Sequence, residues 1–108
     1  MTCTELETAL KTVTAEVYNL AAPAGLTEYI VWAVYGYTLV IGDDAVQVRI
    51  PRVQVDAYTQ AADAADDGGF FDQVMGVLDG LGLVYTVEDT GYDPDAATMR
   101  LIIQTDVA

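Results

Sequence analysis

Two long runs of β-forming residues occupy the middle of this chain and restrict its fold more than any other feature. Residues 29–41 read YIVWAVYGYTLVI, and residues 46–59 read VQVRIPRVQVDAYT. Because β-branched and aromatic side chains are enriched in strands, both runs predict β-strands. The sequence between them, Gly42-Asp43-Asp44, is typical of a turn. We therefore expect these two strands to form a hairpin at the centre of the fold.

Two residues predict irregularities in these strands. Gly36 interrupts the first run, and a glycine inside a strand often marks a bulge or a bend. Pro51 interrupts the second run, and it has no N–H to donate to a neighbouring strand. The strand is therefore expected to kink at Pro51 or to lie on an edge there. After Pro51, apolar and polar residues alternate with a period of two, which predicts one covered face and one wetter face.

A first helix is predicted near the N-terminus. Thr4 and Glu7 have the spacing of a capping box, which predicts the helix start. Pro23 predicts that the helix ends before it. Its apolar stripe is Leu6, Leu10, Val13, Val17 and Leu20.

A second helix is predicted after the acidic, flexible segment 60–69. Asp66 or Asp67 is the expected N-cap, and Gly82 the expected C-terminal stop. Gly76 and Gly80 lie four residues apart, which either permits close approach of another backbone or simply weakens the helix. The apolar stripe of this helix is Phe70, Phe71, Val74, Val77, Leu78 and Leu81.

The remaining sequence predicts a short strand over 83–87, a turn over 88–95 and a last strand over 98–107, with Met99, Leu101 and Ile103 on one face. The order of elements predicts an α+β fold, in which an antiparallel sheet of four to five strands carries two helices on one face. No repeat, linker or composition change divides the chain, so residues 1–108 are expected to form a single domain.

The residue inventory argues against an enzyme. The chain has no histidine and no serine, and Cys3 is its single cysteine. These counts exclude a serine triad and the usual zinc and iron–sulfur sites. Two loops are rich in carboxylates, but neither has the ligand order of a calcium-binding loop. We therefore expect no catalytic, cofactor-binding or metal-binding residues.

The charge balance argues against binding to anionic partners. Seventeen acidic and four basic residues give a net charge of −13, which disfavours binding to nucleic acids and to anionic membranes. The charge serves either solubility or a specific electrostatic role. An apolar fraction of 53% exceeds what one small core ordinarily needs, so part of it is expected in an interface. The N-terminus lacks a signal-peptide pattern, and we expect a soluble protein made in the cytoplasm.

The order of these motifs resembles one known family. An N-terminal helix leads to Thr-Glu-Tyr-Ile-Val, a Gly-Asp-Asp turn, Val-Gln-Val-Asp-Ala-Tyr, a helix closing in Leu-Asp-Gly-Leu-Gly-Leu, and Ala-Thr-Met-Arg-Leu-Ile-Ile-Gln. This order resembles the small tail-completion, or tail-terminator, proteins of long-tailed bacteriophages and prophages. The resemblance lies in residues 29–34, 52–59, 70–83 and 92–105. One departure is 46–51, which predicts a regular strand where relatives more often have an irregular acidic loop.

The resemblance implies a structural role in virion assembly. Proteins of this family form a ring, often of six subunits, at the head-proximal end of the tail. The implied partners are further copies of the chain, the tail-tube protein and the head–tail connector protein. The implied location is the host cytoplasm during assembly and then the virion tail. Direct binding to nucleic acid or membrane is not expected.

Two groups of residues are predicted to serve such a ring. Aromatic residues in the two long strands, together with the two arginines that flank Pro51, are expected at subunit boundaries. These interface residues are Tyr29, Trp32, Tyr35, Arg49, Arg52 and Tyr58. Carboxylates in one acidic loop, 42–45 or 62–69 in preference to the C-terminal turn, are expected to face a channel through which DNA passes, unless the charge lies on the outer wall. These channel residues are Asp43, Asp44, Asp63, Asp66 and Asp67.

A second class of function is also consistent with the charge. An acidic protein of this size could mimic a nucleic acid and inhibit a DNA-binding enzyme. Such a mimic should place carboxylates along one exposed face in a duplex-like register. Most acidic residues here lie in predicted turns and at element ends, which favours the assembly interpretation.

Overall fold

A mixed five-stranded sheet forms the body of the molecule in the computed structural model, which describes residues 1–95 and 97–108. The strand order is β1-β2-β3-β5-β4, with β1 parallel to β2 and the other neighbours antiparallel. The α+β class is therefore confirmed, whereas the prediction of a purely antiparallel sheet is wrong. The elements in chain order are α1 (Cys3–Leu10), β1 (Val17–Asn19), β2 (Glu28–Gly42), β3 (Ala45–Thr59), α2 (Phe70–Gly80), β4 (Tyr85–Asp93) and β5 (Thr98–Asp106).

Helix α1 is shorter than the sequence predicts. It begins two residues earlier than predicted, because Thr2 is the N-cap: its side chain accepts a hydrogen bond from the Glu5 backbone N–H at 3.1 Å. The helix ends at Leu10. The run Thr12-Val13-Thr14 is β-branched, and such residues lose side-chain freedom in a helix. The predicted helical stripe through Val17 and Leu20 is wrong.

Strand β1 forms where the sequence predicts the C-terminal half of the first helix. Val17 pairs with Ile30 of β2 and is buried, so the apolar residue that the helical pattern used is instead part of the sheet. Strand β1 has three residues and is closed by Leu20, whose φ of 72° turns the chain away and whose N–H donates to the Trp32 carbonyl at 2.9 Å.

The central hairpin follows the sequence prediction closely. Asp43 and Asp44 form its two-residue turn, with φ of 53° and 63°, the positive values that primed hairpin turns require. The register between β2 and β3 shifts between Val34 and Gly36, which confirms the predicted bulge. Pro51 lies one residue beyond the end of the β3–β5 ladder, which confirms the edge position.

Helix α2 begins at a different cap from the predicted one. Gly69 is the N-cap, its N–H donates to the Asp66 carbonyl at 2.9 Å, and neither Asp66 nor Asp67 caps the helix with its side chain. A Cβ on Gly69 would lie 2.4 Å from the Asp63 carbonyl oxygen, so only glycine fits. Gly82 has φ of 72° just after the last turn, as predicted for the helix stop.

Strand β4 contradicts the predicted turn over 88–95. It continues to Asp93, and only the following residues turn. Its pairing with β5 shifts between Val87 and Asp89, so a bulge accommodates the acidic stretch within the strand. The Arg100 guanidinium of β5 lies 2.5 Å from the Asp89 carboxylate and offsets part of its charge. Tertiary pairing therefore overrides the local turn preference.

The hydrophobic core lies between the helices and one face of the sheet. Buried residues of both helices join buried residues of four strands in one cluster, which confirms the predicted alternation in β5. No described helix is long and apolar enough to cross a membrane. The largest members of the core are Leu6, Leu10, Ile30, Trp32, Phe70, Phe71, Leu78, Leu101 and Ile103.

Candidate assembly interface

The β2–β3 hairpin projects beyond the rest of the sheet. Strand β1 pairs with β2 only opposite residues 30–32, and β5 pairs with β3 only from Arg52 onward. In the sheet, residues 37–50 therefore pair only with each other and with Pro51, and we call residues 37–50 the arm. At about 3.3 Å per residue, six residues in each strand carry it roughly 20 Å outward. The molecule is accordingly elongated, with extents of 51 × 26 × 22 Å.

The arm is apolar although it is exposed. Six of the thirteen large hydrophobic side chains that are exposed among the described residues lie within it, and Ile41 is 65% exposed. An exposed apolar patch of this density usually marks a contact with another molecule. The six are Tyr37, Leu39, Val40, Ile41, Val46 and Val48.

Both faces of the arm carry apolar side chains. Tyr37 pairs with Pro51 and Leu39 pairs with Arg49, so these residues share one face. Val40 pairs with Val48 on the other face. Both edges of the arm present unpaired backbone groups in the described part of the chain. Such edges readily add a further strand.

Side chains at the base hold the arm against the end of β5. The Thr38 hydroxyl donates to the Asp106 carboxylate at 2.8 Å, and the Arg52 Nε lies 3.7 Å from the same carboxylate. The Arg52 guanidinium also lies 5.2 Å from the centroid of the Tyr35 ring, whose hydroxyl donates to Gln104 at 3.2 Å. These contacts connect three strands and fix the direction in which the arm leaves the body.

The six predicted interface residues occupy three different environments. Tyr29 and Tyr58 stack at 4.8 Å between ring centroids and are half-buried. Trp32 lies in the core, 7% exposed, and its indole N–H has no partner among the described residues. The other three, Tyr35, Arg49 and Arg52, lie on the arm or at its base.

The two arginines differ in their partners. Arg52 pairs within its own chain, with Asp106. Arg49 lies on the arm itself, is exposed, and makes no ion pair in the described residues. Whether either arginine pairs across a subunit boundary stays a prediction, and the geometry leaves Arg49 as the freer of the two.

The five predicted channel residues lie at opposite ends of the molecule. Asp43 and Asp44 form the tip of the arm, whereas Asp63, Asp66 and Asp67 follow the other end of β3. The fifteen residues of β3, about 50 Å of extended strand, lie between the two groups along the chain. The described residues contain no group of three or more acidic, cysteine or histidine side chains placed to hold a metal ion.

The sheet face away from the helices carries an ionisable cluster. Burial raises the pKa of Asp56 above its ordinary value, although hydrogen bonding from Gln54 and the charge of Arg100 act in the opposite direction. Burial also raises the pKa of Tyr58. The hydrogen bond to Asp89 raises the pKa of Arg100. This face is polar and half-buried, unlike the apolar arm.

The sequence matches no protein-family model and no curated protein.

Proposed function

We propose that this chain is a structural assembly protein of a long-tailed phage or prophage. In this proposal, copies form a ring that ends the tail tube and joins it to the head connector. The observation that carries the assembly role is the arm, which exposes apolar side chains on both faces and has two unpaired edges. An exposed apolar surface does not stabilise a monomer, because its burial is favourable only when another chain covers it. The resemblance in motif order supports the specific role at the tail.

The arm also favours assembly over mimicry of a nucleic acid. A mimic binds a basic protein through an acidic face, whereas the most prominent surface of this chain is hydrophobic. Its two acidic loops follow opposite ends of the fifteen-residue strand β3 and do not form one continuous row. A net charge of −13 is then a background that keeps the monomer soluble until its arm is covered.

The proposal is tested with the tail-tube and connector proteins of the same phage or prophage. Added to polymerising tail-tube protein, the chain should stop growth and be found at one end of each tube. It should also bind the connector protein. A matched variant in which Val40 and Val48 are both replaced by threonine keeps the strand preference but loses apolar contact, and it should do neither as well.

Two results would contradict the proposal. Tubes that grow to the same length with and without the protein, together with no binding to the connector, exclude the tail role. Inhibition of a restriction endonuclease at stoichiometric concentration, relieved by added salt, would instead establish the acidic mimic.

A further inference from the structure

The sheet has a second unpaired edge, outside the arm. Strand β4 ends the strand order, and no described strand lies beyond it. It is nine residues long, and Val87 and Tyr92 remain 48% and 63% exposed on it. The opposite terminal strand, β1, has only three residues and is closed by Leu20. Strand β4 is therefore the better place for strand addition.

Side chains on the β4 edge form two rows of different chemistry. Val87 and Tyr92 pair with Ile103 and Met99 and so lie on the core side of the sheet. Asp89 and Asp93 pair with Ile102 and Thr98 and lie on the opposite side. One row of this edge is apolar, and the other carries the two carboxylates, of which Asp89 already pairs with Arg100 of its own chain.

The β3 edge of the arm carries two rows that complement those of β4. Val48 and Ile50 lie on one face, because they pair with Val40 and Thr38. Arg49 lies on the other face, opposite Leu39, and has no carboxylate partner in its own described chain. Aligning the apolar rows places the arginine beside the carboxylates. The reverse alignment would place it beside aliphatic and aromatic side chains, so the chemistry selects one arrangement.

From this complementarity we infer that the arm of one copy adds as a strand to the β4 edge of a second copy. The inference rests on the proposed assembly function and names the surface that the arm occupies. An intramolecular contact is excluded, since β5 separates β3 from β4 and the arm projects away from both. The contact is heterologous, with different surfaces on the two copies, which is the type that generates rings when the rotation closes.

The experiment uses two variants, each carrying one damaged surface. Val48→Asp damages the arm and Tyr92→Asp damages the β4 edge, and both side chains are exposed in the free chain. Leu20→Asp is the control, since Leu20 is 74% exposed and belongs to neither surface. Circular dichroism verifies that all three fold. Native mass spectrometry and light scattering then give the size of the assemblies, alone and after mixing.

A heterologous contact predicts one pattern of sizes. Val48→Asp and Tyr92→Asp should each dissociate at concentrations about tenfold higher than the wild type, whereas Leu20→Asp should not change. Mixing the two variants should give a one-to-one complex that grows no further, because one copy supplies an intact arm and the other an intact edge. Arg49→Glu should weaken assembly more than Lys11→Glu, which makes the same change in charge elsewhere.

Other patterns overturn the inference and separate it from the proposed function. If the wild type assembles and Tyr92→Asp assembles equally well, the arm binds elsewhere, although assembly itself stands. If the mixture forms no complex, the contact joins like surfaces. Equal effects of Arg49→Glu and Lys11→Glu contradict the paired rows. If the wild type stays monomeric at tens of micromolar, the arm does not bind a second copy and the inference is wrong. The exposed arm then no longer supports the proposed ring.

Discussion

Replacing glycine by alanine at two positions of helix α2 should change stability in opposite directions. Gly69 is the N-cap, and an added Cβ would lie 2.4 Å from the Asp63 carbonyl oxygen and 2.8 Å from that of Ala64. Both are backbone atoms, and Ala64 is itself fully buried, so the loop cannot easily yield. Gly76 is exposed in the same helix, and an added Cβ there meets nothing within 4 Å.

The magnitudes follow from these two environments. Overpacking at Gly69 costs about 1–3 kcal/mol, and the entropy lost by the unfolded chain returns less than about 1 kcal/mol, so a net loss of roughly 1–2 kcal/mol remains. At Gly76 the same change should raise the free energy of unfolding by about 0.5–1 kcal/mol, because alanine favours the helix. Each kcal/mol corresponds to roughly 4–8 °C in Tm for a domain of about 100 residues.

Thermal unfolding followed by circular dichroism at low micromolar concentration measures both effects without interference from assembly. Gly69→Ala should melt below the wild type and Gly76→Ala above it. The reasoning fails if both variants shift in the same direction, or if Gly69→Ala melts with the wild type.

Three further predictions concern charge. Copies of net charge −13 repel each other, so raising salt from about 0.05 M to about 0.5 M should strengthen self-association in sedimentation experiments; weakening would show that ion pairs between copies outweigh this repulsion. Because burial raises the pKa of Asp56, ionisation of that carboxyl destabilises the fold, and Asp56→Asn should raise Tm at pH 7. This gain in Tm should fade as pH falls through the raised pKa, and it should vanish below the pKa of aspartate in the unfolded chain, about 3.9. A gain that persists at pH 3 would contradict this. An assembled structure should place either the arm tip or the 62–69 loop at the channel, and finding Asp43, Asp44, Asp63, Asp66 and Asp67 all on the outer wall would refute the channel role.

The central hairpin was predictable because its signals are local. The β-branched runs, the two aspartates of the turn, the bulge at Gly36 and the edge position of Pro51 each depend on residues within a few positions of one another. The second helix was predictable for the same reason, apart from its cap. Gly69 caps α2 because the Asp63 and Ala64 carbonyl groups of the preceding loop crowd it, a constraint that appears only in three dimensions.

The errors arose where distant pairing decided the structure. Val17 fits a helical stripe, but pairing with Ile30 makes it a strand residue. The acidic stretch of β4 has the composition of a turn, yet its ladder with β5 and the Arg100–Asp89 ion pair hold it as a strand.

The arm was only half predictable. Its strands follow from the sequence, but its projection depends on where the neighbouring strands end, which no local pattern records. The alternation of apolar and polar residues continues before Pro51, where Val46, Val48 and Ile50 alternate with Gln47 and Arg49. The pattern therefore predicts a strand there, but it does not predict that the strand leaves the covered sheet.

The mass of the purified protein in solution tests the central claim most directly. Light scattering at tens of micromolar and moderate salt should give a defined multiple of the 11.6 kDa chain. A variant with Leu39, Val40, Ile41 and Val48 all replaced by threonine should give 11.6 kDa at the same concentration, with an unchanged circular dichroism spectrum, because these side chains are exposed in the free chain. A wild-type mass of 11.6 kDa, or the same multiple for both proteins, would contradict assembly through the arm.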